Sequence, residues 1–360
     1  MKLKKVIAIG VALLIGTPSL AHASDIVMYD ASNLDDILVK YAAKTDPLKD
    51  QLQNVGLAKD NKNQKPGVKA AEEEEDLIEE VEVEGKRPDI HPKTPVYTKV
   101  VDISEHQNPS AINYDKFAKD IDGAILRASI TTYKIDDYTG ERVYYPRRDH
   151  HVDTHYRNLN KRNVPIGFYH YSRATNPQEA TREANYVLDY VKDKNVSLPI
   201  YLDIEDSLKQ AKSNMKNISS AADTFLKIME RNGYVAGVYS YPNFAKKYLT
   251  KEIRNRGNFW LANYVKSGFT RYKETDFDSW QYTEKGRVKG YNGNVDKSFL
   301  YKDYPLIIKG KSRKNYDDLV KEVIAGHWSY GKERRKRLTY AGYDYKKVQT
   351  EVNRRLRLNK

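Results

Sequence analysis

The run Leu198-Pro199-Ile200-Tyr201-Leu202-Asp203 is apolar until its last residue, and Ile204-Glu205 follows it. It reads as a short β-strand that ends on an acid. Outward from it, similar β-rich runs occupy residues 100–103, 124–128, 165–171, 235–240, 259–262 and 279–282. Amphipathic helical stretches separate the early ones, among them 178–192 and 219–232. Strand–helix alternation sustained over roughly 200 residues predicts an α/β barrel or a doubly wound sheet. The later strands arrive with little helix between them, which argues against eight regular β/α units. No glycine-rich phosphate loop follows any strand, so nucleotide binding has no support.

Acidic residues fall where these strands end. Asp102 ends the first strand, Asp203 and Glu205 end the strand at 198–203, and Asp296 follows the turn at Gly293-Asn294. In α/β barrels the strand ends converge on one face, and catalytic groups gather there. Residues two apart on a strand point the same way, about 6.6 Å apart, so Asp203 and Glu205 would face one cleft. Crowded carboxylates raise one another's pKa, and one then keeps its proton at neutral pH. Glycoside hydrolysis needs such a donor, with negative charge beside the developing oxocarbenium ion. The competing reading of Asp-x-Glu is a helix cap.

The surroundings carry a resemblance. In order come Val101-Asp102-Ile103-Ser104-Glu105-His106-Gln107, Ile166-Gly167-Phe168-Tyr169-His170-Tyr171, Leu202-Asp203-Ile204-Glu205, Trp280-Gln281-Tyr282 and Gly293-Asn294-Val295-Asp296. Together they resemble glycoside hydrolase family 25, the muramidases often called Chalaropsis-type lysozymes, over residues 98–308. The resemblance implies an irregular TIM-like (β/α)5β3 barrel whose last strands are antiparallel. It implies hydrolysis of the β-1,4 bond between N-acetylmuramic acid and N-acetylglucosamine, with no metal and no other cofactor. Glu205 would be the general acid, and Asp203 would stabilise charge or orient the substrate acetamido group. Asp102 and Asp296 match the family's two other acidic cleft positions. The nucleophile would be a carboxylate or the substrate's own N-acetyl group, and we favour the latter. Tyr169, Tyr171, Trp280 and Tyr282 would offer sugar-stacking faces or fill the barrel core. His170 reads equally well as a structural or a site residue. One departure stands out: Arg127-Ala128-Ser129-Ile130-Thr131 lacks the glutamate of the family's Thr/Ser-Glu-Gly turn. The Tyr-, Asp- and Arg-rich stretch 133–148 that follows would sit beside the cleft and alter substrate detail.

The tail predicts a three-helix module. A stripe of Tyr316, Leu319, Val320, Val323 and Ile324 stops at Gly326. A second helix over 332–341 stops at Gly342, and Tyr345, Val348, Val352 and Leu356 mark a third. Residues 315–357 resemble the cell-wall-binding repeat of some phage endolysins, which implies recognition of muropeptide. Trp328, Arg337 and Asp344 would be its contacts.

Charge is unevenly spread along the chain's net +13. Residues 24–97 hold 10 basic and 17 acidic side chains, residues 98–310 hold 34 and 26, and residues 311–360 hold 15 and 6. The tail therefore seeks a polyanion. Residues 1–23 read as a signal peptide: Lys2, Lys4 and Lys5, an apolar run, then Ala21-His22-Ala23. Residues 24–97 read as a leader with a short helix and a solvated acidic linker. The expected organisation is thus signal peptide 1–23, leader 24–97, barrel 98–310 and module 311–360. Cysteine is absent, which excludes thiol catalysis and Cys-ligated metals. Export turns the polyanion expectation to peptidoglycan and the wall rather than nucleic acid, with no membrane insertion after signal cleavage. The protein would be a secreted or wall-associated monomer. The alternative function is a non-catalytic wall-binding protein on the same scaffold.

Overall fold

The computed structural model describes residues 93–264 and 277–358. The expected signal peptide and almost all of the expected leader lie outside these residues. The chain divides into a unit within residues 95–313 and a second unit of residues 314–360 with Thr94.

The first unit is a closed barrel. Its strands are β1 (Tyr97–Ile103), β2 (Gly123–Ile135), β4 (Ile166–Tyr171), β5 (Ile200–Asp203), β6 (Ala236–Ser240), β7 (Trp260–Ala262), β8 (Ser279–Val288) and β9 (Tyr291–Leu300). They pair in that order, and β1 pairs with both β2 and β9, which closes the ring. β1, β2 and β4 to β8 run parallel, and β9 alone runs against its neighbours. Helices follow the first five parallel strands: α1 (Tyr114–Asp120), α2 (Val152–Asn160), α3 (Pro177–Val191), α4 (Met215–Arg231), then α5 (Pro242–Tyr248) and α6 (Lys251–Arg254). A short α7 (Tyr304–Lys309) ends the unit. Five β/α units and three further strands match the expected count. Of those three, β7 and β8 prove parallel rather than antiparallel.

Local chemistry explains the helices. Asn176 and Asn214 cap α3 and α4, each side chain accepting a backbone N–H three residues on. Along α3 the apolar face buries Ala180, Ala184, Val187 and Val191; along α4 it buries Ile218, Ala222, Phe225 and Met229. Small residues where the two helices approach, Ala180 and Ala221, let them pack closely.

The barrel interior is aromatic. Trp260 packs against Tyr239 at 4.7 Å, Tyr201 at 5.0 Å and Tyr169 at 6.4 Å between ring centres. Its indole N–H donates to Ser298 Oγ at 3.0 Å, as a buried indole requires. Space for these rings depends on Gly237, where a Cβ would stand 2.0 Å from the Asn258 carbonyl oxygen and 2.8 Å from the Tyr201 ring.

Two features depart from the sequence-based reading. β2 continues to Ile135 and turns back as β3 (Arg142–Arg148), so stretch 133–148 is largely a hairpin rather than a loop. β9 was not anticipated as a strand, although it carries Asp296.

The second unit holds the three expected helices, α8 (Tyr316–Ile324), α9 (Gly331–Ala341) and α10 (Tyr345–Leu358). Gly326 and Gly342 adopt φ of 84° and 97°, the left-handed conformation that ends helices. Leu319, Val320, Val323, Leu338, Val348 and Val352 form its core around Trp328.

Candidate active site

Strand register gathers the acids. Asp102 on β1 pairs directly with Asp296 on β9. Asp203 ends β5, beside Tyr171 of β4 and Tyr239 of β6. Glu205 lies two residues further on and is half-buried. All four predicted carboxyls therefore meet at the mouth formed by the C-terminal ends of the parallel strands.

Their electrostatics follow from crowding in a dry place. Burial pushes the Asp102 carboxyl well above the usual range, and Asp296 and Glu205 add to the rise. Burial, then Glu205 and Asp102, do the same to Asp203. Glu205 is raised from 4.5 to about 7 by burial, by Asp296 and by Asp206. Asp296 is raised to about 6 by burial and by Glu284. The direct pairing of Asp102 with Asp296 raises the former carboxyl and lowers the latter. The four carboxyls titrate as a set. Asp203 Oδ1 is buried and has no hydrogen-bond partner, an acceptor that a bound donor would satisfy.

Gln281 organises the set, and sequence reasoning did not single it out. Its Nε2 donates to Asp102 Oδ2 at 2.9 Å and to Asp296 Oδ2 at 3.4 Å. Its Oε1 accepts from the hydroxyls of Tyr239 and Tyr264. Two hydroxyl donors on the oxygen fix which way the amide points. The middle position of Trp280-Gln281-Tyr282 was the available signal. The motif alone does not say whether its aromatic or its amide positions face inward.

That ambiguity accounts for one correction. Gln281 points into the barrel, so Trp280 and Tyr282 point out. Trp280 is only 2% exposed, packs on Phe299 at 5.6 Å and donates its N–H to the Asn263 carbonyl at 2.9 Å. Tyr282 stacks on Phe299 at 4.5 Å. Both belong to the packing outside the barrel, not to a sugar site. Tyr169 and Tyr171 do face inward and are half-buried beside the acids, which push both phenols upward after burial itself. His170 faces the helices. It bonds Ser129 Oγ at 2.8 Å and lies 3.4 Å from Glu183, so it is structural.

A second charged cluster borders the mouth. Arg127 on β2 ion-pairs with Glu105 and with Asp149, both at 2.8 Å. Glu105 also takes both Arg147 Nη atoms, at 2.9 and 2.7 Å, and this pairing holds its carboxyl down at about 2. The network ties the base of the β2–β3 hairpin to the end of β1. Thr131 on one hairpin face bonds Glu183 of α3. Alternation then sends Ile130, Thr132 and Tyr145 to the face from which Arg147 reaches back to the mouth.

In the C-terminal unit the expected contacts part company. Trp328 is fully buried, with its N–H on Glu322 at 3.0 Å, and is core. Arg337 is held by Glu333 at 3.0 Å within α9. Asp344 is exposed, but its carboxylate caps α10 by accepting from Lys347 N at 3.1 Å.

Comparison with known proteins gives two matches along the chain: Glycosyl hydrolases family 25 over residues 101–291, and a CW_7 repeat over residues 317–356. A lysozyme of Streptococcus phage Cp-7 is 30% identical over 197 residues, covering 52% of this chain and 55% of that protein. An autolytic lysozyme of Clostridium acetobutylicum is 29% identical over 134 residues, covering 37% and 38%. The chain thus spans about half or less of the curated relatives it matches. Among solved structures, the modular autolysin LytC of Streptococcus pneumoniae aligns at TM-score 0.48 and 26% identity, over 57% of this chain and 47% of that one.

Proposed function

The chain belongs to glycosyl hydrolases family 25, whose match spans more than half of it, and from that premise we propose that it is a peptidoglycan muramidase. In this reading it cuts the β-1,4 bond between N-acetylmuramic acid and N-acetylglucosamine, with Glu205 as general acid. The observation that carries it is the carboxyl set at the barrel mouth, in which Glu205 keeps its proton to about pH 7. A group poised there can protonate a leaving oxygen near neutrality and take a proton back from water afterwards.

The remaining roles follow from position. Asp203 Oδ1, buried and unpartnered, would accept the acetamido N–H and align its carbonyl oxygen to attack C1. Glu205 would meanwhile give its proton to the departing glycosidic oxygen. Water would then open the cyclic intermediate, with Glu205 taking its proton. Asp102 and Asp296, bridged by Gln281, would keep negative potential beside the cationic centre. Tyr169 and Tyr171 would floor the cleft, and the hairpin face bearing Tyr145 would wall it. The C-terminal unit would hold the enzyme on the wall, and the protein would act outside the cell as a monomer.

The test is the pH profile of wall clearing by the full chain beside Glu205→Gln. The reading requires activity that falls as pH rises through about 7 and a variant that clears nothing. Firm wall binding without clearing by the wild type would favour the non-catalytic alternative.

A further inference from the structure

The turn that carries Glu205 is anchored on both sides. Ahead of it, Ile204 N donates to the Tyr239 carbonyl at 2.9 Å, and the Ile204 carbonyl accepts from Ser240 Oγ at 2.7 Å. Behind it, Asp206 is only 1% exposed. Its carboxylate accepts the backbone N–H of Lys209 at 2.6 Å and that of Gln210 at 3.3 Å, which closes the turn on itself. The Gln210 side chain locks the closure. Its Oε1 accepts from Asp206 N at 3.1 Å, and its Nε2 donates to the Ala174 carbonyl at 3.2 Å.

To these neutral bonds Arg173, two residues past β4, adds a full charge. Its Nε donates to Asp206 Oδ1 at 2.8 Å, and its Nη1 donates to the Thr131 carbonyl of β2. The guanidinium carbon stands 5.4 Å from the centre of the Tyr171 ring. A buried ion pair is weak evidence for stability, because desolvation offsets its attraction. What it changes is the field at its neighbours, and the neighbour of Asp206 along the chain is Glu205.

Asp206 pushes Glu205 up, after burial and Asp296. The other groups facing Glu205 are the carboxyls of Asp102 and Asp203 and the phenols of Tyr171, Tyr239 and Tyr241. Each of them, when ionised, opposes a charge on Glu205. Arg173 works the other way, by cancelling part of the Asp206 field. We propose that Asp206 and Arg173 are positioning residues for the general acid: Asp206 fixes the turn that presents Glu205, and Arg173 offsets the charge that Asp206 sets beside it. The assignment rests on Glu205 being the acid, as proposed above. Asp206 is buried and Arg173 is engaged by Asp206 and Thr131, so both act through Glu205 rather than on the sugar. Together they set the highest pH at which the acid keeps its proton.

The experiment compares the full chain with Asp206→Asn and Arg173→Gln by two readouts. One is the alkaline limb of wall clearing. The other is the pH at which the difference in urea stability from the same chain carrying Glu205→Gln levels off. That second readout follows the proton on Glu205 and needs no activity. Asp206→Asn keeps the shape and an acceptor for the Lys209 and Gln210 amides while removing a negative charge. Both readouts should move to lower pH by about half a unit or more. Arg173→Gln leaves the Asp206 charge uncancelled, so both should move to higher pH by a similar amount. A pair that served the fold alone would cost stability in either variant and move neither readout. Shifts in the same direction, or no shift, would overturn the proposal. Should Arg173→Gln not fold, the double variant takes its place. Its readouts should lie above those of Asp206→Asn alone, and coincidence with them would overturn the proposal. A chain that clears no wall would fail the muramidase reading, while the stability readout would still decide this one.

Discussion

Replacing Glu205 by glutamine should make the folded protein more stable at alkaline pH and no more stable in acid. Glu205 titrates at about 7 in the folded state against an ordinary 4.5. Between those values the folded chain holds a proton that the unfolded chain has lost. Stability therefore falls as pH rises through this window and is flat above it. The rise from 4.5 to about 7 corresponds to roughly 3 kcal/mol at about 1.4 kcal/mol per pH unit. Glu205 keeps part of its surface in water, which screens the charge, so about 2 kcal/mol is the expected difference. Glutamine removes the titration and keeps the shape. Urea unfolding of the full chain, followed by tryptophan fluorescence at about pH 4, 6 and 8, reads the effect. Trp260 and Trp280 both sit in the barrel unit and report its transition. The variant should match the wild type near pH 4 and exceed it by about 2 kcal/mol near pH 8. A variant less stable at pH 8, or a difference independent of pH, would refute the claim that Glu205 is held protonated by its surroundings.

Further outcomes follow from the same geometry. Gln281→Leu removes the amide that bonds Asp102 and Asp296; wall clearing should fall by roughly tenfold or more, with its alkaline limb moved, as a pH–rate profile would show. Trp280→Ala should cost about 3–5 kcal/mol of stability through the cavity it leaves. The Michaelis constant of the protein that remains folded should not change, and a raised one would return Trp280 to the cleft. Glu105→Gln should destabilise the barrel by about 2 kcal/mol near neutrality. Its carboxyl is held at about 2, so that contribution is present above about 4.5 and lost as pH falls toward 2. Acid unfolding beside the wild type should therefore show the two converging.

Much of the barrel was legible because each parallel strand is a short apolar run bounded by turn residues, and the acids sit at the ends of those runs. Strand alternation puts Asp203 and Glu205 on one side of the chain, which the sequence alone shows. What the sequence hid was the direction of β7 and β8. Direction leaves no mark in an apolar run as short as Trp260–Ala262 or the Ser279–Tyr282 start of β8, and the stretch between them lies partly outside the described residues. It hid β3 because Tyr144 and Tyr145 flank an uneven pattern that the Asp136–Gly140 turn could have anchored. It left the roles of Trp280 and Gln281 open, because alternation has two phases and an aromatic suits either a cleft or a core. Trp328 shows the same limit in a helix: position in a motif does not distinguish a ligand platform from a core residue.

The measurement closest to the central claim is the chemistry of the ends that the protein creates. Purified peptidoglycan incubated with the full chain, reduced with borohydride and analysed by mass spectrometry should gain muramitol ends, and none with Glu205→Gln. New glucosaminitol ends, or muramitol made equally well by the variant, would contradict the account.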